Sequence, residues 1–244
     1  LYPPTPPHGG SMTMTVVGSA VLDGCNKVRT QAIKLAVEDD ESPLYGVRAE
    51  DVIVRGGRLH VPDDPARGET YQRLLTRNRL THLEADGAYA GAPEPARHSY
   101  FSYGAVFTEV GVDATLGLVR VRRMLGVYDV GRIVSPKLAD SQALGGMVGG
   151  IGQALLEHTV TDHRDGRIVN ASLADYLVPV NADISDLRAI YLESEDPRAN
   201  PLGVKGIGEI VQVGVAAAVA NAVFNATLIS FTRSGLARGS WLPG

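Results

Sequence analysis

Apolar residues recur at helical spacing from Ser19 to Val37 (Val21, Leu22, Cys25, Val28, Ile33, Ala36), which predicts one amphipathic helix. Residues 39–69 are acidic and turn-rich, with short strands expected at Val52–Val54 and Arg58–Val61 on either side of Gly56-Gly57. Thr70 to Asn78 reads as a short helix. The runs "FSYGAVFTEVGVDA" (101–114) and "LVRVRRMLGVYDVG" (118–131) alternate apolar and polar positions around Leu116-Gly117, the pattern of a hairpin. "QALGGMVGGIGQALLE" (142–157) carries five glycines, yet its length favours a helix approached closely by another backbone or a ligand. A second hairpin is marked by Asp165-Gly166, a strand by Leu187–Leu192, and a last helix starts near Glu209. Helices interspersed with mostly antiparallel strands point to an α+β fold rather than a doubly wound parallel sheet.

Composition narrows the function. The chain has 244 residues, enough for a sizeable core, and a formal net charge of -4, which argues against a general nucleic-acid binder. The apolar run from Ile210 to Phe224 is short and rich in Ala, so no membrane span is expected. Cys25 is the only cysteine, which rules out an internal disulfide and a cysteine-ligated zinc or iron–sulfur centre held by this chain alone. The proline- and glycine-rich opening "LYPPTPPHGGSM" (1–12) is expected to be extended. No signal-peptide pattern follows Leu1, and the chain reads as a piece of a longer one.

The glycine stretches fit neither a phosphate loop nor a dinucleotide fingerprint. None of the six histidines (8, 60, 82, 98, 158, 163) shares a helix face with another at ligand spacing, and no G-x-S-x-G elbow is present. "NPLGVKGIGEIVQVGVAAAVANAVFNAT" (200–227) stands out. Glu209 follows a glycine loop and precedes an almost uncharged run. A carboxylate there either caps the helix, stabilised by the dipole, or serves as a base at the edge of a buried zone. Lys205 would neutralise it or serve a bound anion. The glycines allow loop amides to face a ligand closely.

Several segments together resemble the molybdenum hydroxylases, the xanthine dehydrogenase and aldehyde oxidase family. These are "GGSMTMTVVGSAVLDGC", "FSYGAVFTEVGVD", "VRVRRMLGVYDVGRIVSPKLADSQALGGMVGGIGQALLE", "NASLADYLVPVNADISDL", "ANPLGVKGIGEI" and "GVAAAVANAVFNAT", in the family's order and most similar to bacterial aldehyde oxidoreductases. The resemblance implies a molybdopterin cofactor, in its cytosine dinucleotide form, with molybdenum held by the pterin and by no side chain. It implies that Glu209 is the catalytic base, taking the proton from the hydroxyl on the metal. Cofactor contacts are implied for Gly10, Ser11 and Thr13; for Arg132, Ile133, Val134, Ser135, Pro136, Lys137, Leu138 and Gln142; and for Lys205, Gly206, Ile207 and Gly208.

The expected fold is the C-terminal molybdopterin-binding type over residues 1–227, with an atypical tail at 228–244. The chain is then about half of such a subunit. The expected partners are a small-molecule substrate, the N-terminal half of the subunit on the same or a separate chain, and iron–sulfur and flavin (FAD) subunits. The rival reading is a non-catalytic remnant acting as a scaffold or binding domain; an unrelated acid–base hydrolase using Glu209 is a third.

Overall fold

A computed structural model describes residue 5, residues 9–91, residue 97 and residues 99–228. Most of the proline-rich opening, histidines 8 and 98 and the tail beyond Leu228 lie outside the described residues. The chain divides into two compact units, one formed by Val16–Gly91 and one by Leu1–Thr15 with Ala92–Gly244.

In the first unit, helix α1 (Ser19–Glu38) forms where the spacing predicts it. Its buried positions are Ser19, Ala32 and Ala36, whereas Val21 and Cys25 are exposed. Only the second half of the helix joins the core of Leu44, Val52, Leu59 and Leu74, so the early apolar residues are not covered. Strands β1 (Ile53–Arg55), β2 (Arg58–Val61) and β3 (Asp64–Thr70) make an antiparallel sheet in that order. Gly56 and Gly57 both take positive φ in the first turn, as their lack of Cβ permits. The third strand was not expected, because "DPARGET" looks like a polar loop. It pairs because Gly68 lets the strands close: a Cβ there would come within 2.2 Å of the Leu59 carbonyl.

Helix α2 (Tyr71–Arg77) follows, with the Thr70 hydroxyl accepting from the Arg73 amide as its cap. Glu69, 1% exposed, survives burial by pairing. Arg77 donates to both of its oxygens at 2.7 and 2.8 Å, and Ser42 donates to Oε1 at 2.7 Å. Burial alone would raise the Glu69 pKa, but the Arg77 and Ser42 hydrogen bonds outweigh it and the net shift is downward. Arg77 also bonds Asp39, tying α1 to α2. Arg77→Met should strand the Glu69 charge and cost about 3–5 kcal/mol of stability, read as a lower denaturant midpoint. A loss below about 1 kcal/mol would contradict this account.

The second unit is built on a long hairpin, β4 (Tyr103–Asp113) and β5 (Leu118–Asp129). Asp113 Oδ1 accepts the Thr115 and Leu116 amides, and Gly117 takes positive φ to close the turn. Strand β6 (Asp186–Tyr191) joins β5 in parallel, giving the order β4-β5-β6. That parallel pair departs from the antiparallel pattern elsewhere and requires a crossover, which helix α3 (Pro136–Leu155) provides. The helix begins six residues before the glycine-rich stretch, because Ser135 is extended and Pro136 suits a first helical position.

The last helix is interrupted. Helix α4 (Ile210–Val213) ends at Gly214 and α5 (Val215–Thr227) follows. By length and composition Ile210–Thr227 is apolar enough to cross a membrane, with mean hydropathy 1.5, contrary to the expectation from sequence. In this fold Val211, Val215, Val219 and Val223, one stripe at i, i+4 spacing, are fully buried, and their helices pack on β4 and α3. Each such side chain stabilises the core by about 1.5–3 kcal/mol.

The glycines of α3 explain how the helices come so close. A Cβ on Gly146 would come within 2.9 Å of Val211 Cβ, and one on Gly150 within 2.4 Å of Val215 Cβ. Five glycines cost the helix about 4–5 kcal/mol relative to alanine, and the interlock with the valine stripe offsets this. Gly150→Ala should therefore destabilise by about 1–3 kcal/mol despite its better helix propensity. Gly145→Ala, with nothing within 4 Å, should be neutral or stabilise by up to about 1 kcal/mol. Urea denaturation of both variants checks the contrast, and equal effects would remove the packing argument.

Candidate functional site

The loop of residues 199–209 is shaped by Asn200, which is 1% exposed. Its Nδ2 donates to the Val204 carbonyl at 2.7 Å, and its Oδ1 accepts the Leu202 and Val204 amides at 3.2 Å. This side-chain turn lets Gly203 take positive φ. The loop is then laced to the exit of β5. Arg132 N donates to Gly203 O at 2.8 Å, Lys205 N donates to Val130 O at 2.9 Å, and Gly131 bridges Val204. Gly131 has to be glycine: φ is +70°, and a Cβ would come within 2.4 Å of the Gly203 carbonyl.

Asp129 completes the clamp. Its Oδ1 accepts the Ser194 hydroxyl at 2.7 Å and lies 3.0 Å from the Lys205 ammonium and 3.3 Å from the Gly131 amide. The Ser194 hydrogen bond first, and the Lys205 hydrogen bond next, hold the Asp129 carboxyl below its ordinary range. Lys205, whose side chain is only 12% exposed, therefore pairs with Asp129.

Beyond Lys205 the backbone meets two distant segments. Ser102 Oγ donates to Gly206 O at 2.6 Å, and Gly208 N donates to Ser11 Oγ at 2.9 Å. Gly206 packs so closely on the Gly10–Ser11 turn that a Cβ would come within 2.8 Å of the Gly10 carbonyl. On Gly208 it would lie 2.7 Å from Ser11 Oγ and 3.0 Å from Gln142 Oε1. Gly10, Ser11, Gln142, Gly206 and Gly208 thus converge. Ile207, between the two glycines, packs partly buried against the core.

The remaining residues lie on either side. Thr13 is exposed in the turn after Ser11. Arg132 is exposed and 3.8 Å from Glu195; Ile133 packs on the core; Val134 is half exposed. Ser135 is the N-cap residue of α3 but makes no side-chain capping bond, so its hydroxyl does not cover the first-turn amides of Lys137 and Leu138. Both of those residues, and Pro136, are exposed.

Glu209 is the N-cap residue of α4, with no side-chain capping bond, which disfavours the cap reading. It is exposed, and among the described residues its carboxylate has no hydrogen-bond or ion-pair partner. The apolar run behind it contributes a buried stripe of Val211, Val215, Val219 and Val223, and Glu209 stands exposed at its edge. Sequence reasoning missed Asp129, Asn200, Ser102 and Ser194. Only Asn200 had a local signal, an Asn-Pro turn start.

The donor set suits an anionic, heteroaromatic group: α3 first-turn amides, Arg132, Lys137, the Ser135 hydroxyl and the Gln142 amide, which can both donate and accept. Among the described residues no three His, Cys, Asp or Glu side chains gather as metal ligands. Residues 1–185 match the molybdopterin cofactor-binding domain.

The chain belongs to that family.

The aldehyde oxidoreductase molybdenum-binding subunit PaoC of Escherichia coli K12 is 36% identical over 226 residues, covering 93% of this chain and 29% of the relative. A span of that length necessarily includes Glu209, which the domain match does not reach. The 6-hydroxypseudooxynicotine dehydrogenase complex subunit gamma of Paenarthrobacter nicotinovorans is 31% identical over 220 residues, covering 88% of this chain and 27% of that subunit. Among solved structures, quinoline 2-oxidoreductase from Pseudomonas putida 86 superposes with TM-score 0.70 at 27% identity, covering 84% of this chain and 26% of that one. CO dehydrogenase from Oligotropha carboxidovorans, at 23% identity, shares the fold with TM-score 0.76 over 95% of this chain and 28% of that chain. This molybdopterin-binding chain therefore spans less than a third of these proteins, a smaller share than the half the resemblance implied.

The clamp has a defined pH window. Because the Asp129 pKa is lowered on folding, its stabilisation is present above the ordinary carboxylate value and is lost as pH falls through the folded value. The stability difference between the native chain and Asp129→Asn should stay constant from neutral pH to about 5 and shrink progressively below about 4, as pH falls toward the lowered folded value. Denaturant titrations across that range check it; a difference already fading at about pH 6 would contradict the assignment.

Proposed function

We propose that this chain is the cofactor-binding part of a molybdenum-dependent hydroxylase that oxidises an aldehyde or N-heterocycle with oxygen derived from water. The observation that carries this reading is the meeting of Gly10–Ser11, Gln142 and Gly206–Gly208 one residue before an exposed, unpartnered Glu209, in a molybdopterin-binding chain. Its relatives' names, as a molybdenum-binding subunit and a dehydrogenase complex subunit, support the reaction class.

The cofactor, proposed in its cytosine dinucleotide form, supplies the metal and a sink for two electrons. The chain's own residues do the rest. First-turn amides of α3, with Arg132, Ser135 and Lys137, neutralise and orient phosphate oxygens. Gln142 hydrogen-bonds a ring edge, and Gly206 and Gly208 keep side-chain bulk out of the cradle. Glu209 accepts a proton at a carboxylate oxygen as general base. With Cys25 the only cysteine, electrons leave through iron–sulfur and flavin centres on partner subunits, and the remainder of the molybdenum subunit completes the substrate pocket.

Glu209→Gln in the complete enzyme should lower kcat by about 10²–10⁴-fold while molybdenum and pterin content stay at the native level. Near-native turnover in that variant would overturn the role of Glu209. A scaffold reading draws on the short share of the relatives that the chain spans. It predicts a purified complex that never acquires molybdenum or pterin.

A further inference from the structure

We infer that Asp129 is a positioning residue for Glu209, acting through Lys205, and that Lys205 is a structural partner of Asp129 rather than a cofactor contact. The inference rests on the proposed function for its catalytic consequence, but its geometric half stands on the clamp alone.

One carboxylate oxygen receives donors from three separate segments: Ser194 after β6, the Gly131 amide that opens the Arg132–Leu138 segment, and Lys205 in the Glu209 loop. Asp129 is therefore the common point between the segment proposed to hold phosphate and the segment that carries the base. The backbone bonds Arg132 N to Gly203 O and Lys205 N to Val130 O fix the loop up to residue 205. Gly206 and Gly208, beyond it, have no side chains with which to hold position. Their placement depends on two anchors, the Lys205–Asp129 pair on one side and the Ser102 and Ser11 hydroxyls on the other. The Lys205 side chain is 12% exposed, so its charge is poorly available to an external anion. Releasing the Lys205 side chain leaves the root of the loop held by those backbone bonds alone, and a base displaced by about 1 Å loses on the order of 10²-fold in rate.

The test is a double-mutant cycle with Asp129→Asn, Lys205→Met and the double variant in the complete enzyme. Each single variant should lower kcat by about 10–100-fold with KM much less affected and with native molybdenum and pterin content. The double variant should be no worse than the worse single one, since both remove the same pair. Amide hydrogen exchange at residues 203–208 of the unloaded chain should quicken in all three, while exchange in the β4–β5 core stays slow. If Asp129→Asn fails to fold, Ser194→Ala, which removes one donor, should give the same exchange pattern in milder form. Additive kcat losses, unchanged exchange at 203–208, or loss of cofactor from Lys205→Met alone would each overturn the inference. A native complex without molybdenum and pterin would sink the proposed function, and the exchange measurements would still decide whether Asp129 and Lys205 hold the loop.

Discussion

The site depends on how β5 ends. A strand leaving a sheet exposes backbone groups that need partners, and here Val130 to Arg132 take theirs from the turn that Asn200 shapes. Gly131 allows the two backbones to touch, and Asp129 collects the donors that side chains can add. Without that junction, α3 and the Glu209 loop would leave the sheet independently, and only the packing of the following helix would relate them.

The same constraint acts through packing. Val211, two residues after Glu209, seats against Gly146 of α3, and Val215 seats against Gly150. Gln142 lies one helical turn before Gly146, so the helix that receives the valines also presents Gln142 to Gly208. Glu209 is thus held from behind by an apolar interlock and from the front by the glycine loop. Dense packing of this kind resists continuous deformation, so an error at the interlock would reach the site as a displacement rather than be absorbed.

Local patterns in the sequence were enough for α1, the β4–β5 hairpin and the glycine-rich helix, because spacing, alternation and length mark each of them locally, even though distant valines stabilise the glycine-rich helix. Strand β3 was hidden because its stability comes from Gly68 closing on β2 and from Arg77 neutralising Glu69, and neither shows as alternation. At the site, the glycines and Glu209 were legible as an unusual local string. Asp129 was not, because its meaning depends on Ser194, 65 residues away, and on Lys205. The bond from Gly208 to Ser11 spans 197 residues, and no window on the chain would reveal it. An apolar run likewise says that a helix has a core face, not which residues stand outside it, so the exposure of Glu209 was not legible either.

That exposure bears on how the base would work. A solvated carboxylate is a weak catalytic base compared with one from which water is excluded, because desolvation strengthens each charge interaction in the site. The chain leaves the Glu209 carboxylate open to solvent, so under the proposed function water exclusion would come from the cofactor and from the remainder of the molybdenum subunit. The division of labour is consistent with a chain that spans 29% of PaoC. What this part contributes is position: a glycine cradle with no room for side chains, a rooted loop, and a carboxylate left free of partners. A carboxylate already engaged by Lys205 would have to break that pair before accepting a proton. Pairing Lys205 with Asp129 leaves Glu209 available, and under the proposed function the two acids near the loop take opposite roles, one spent on structure and one kept for chemistry.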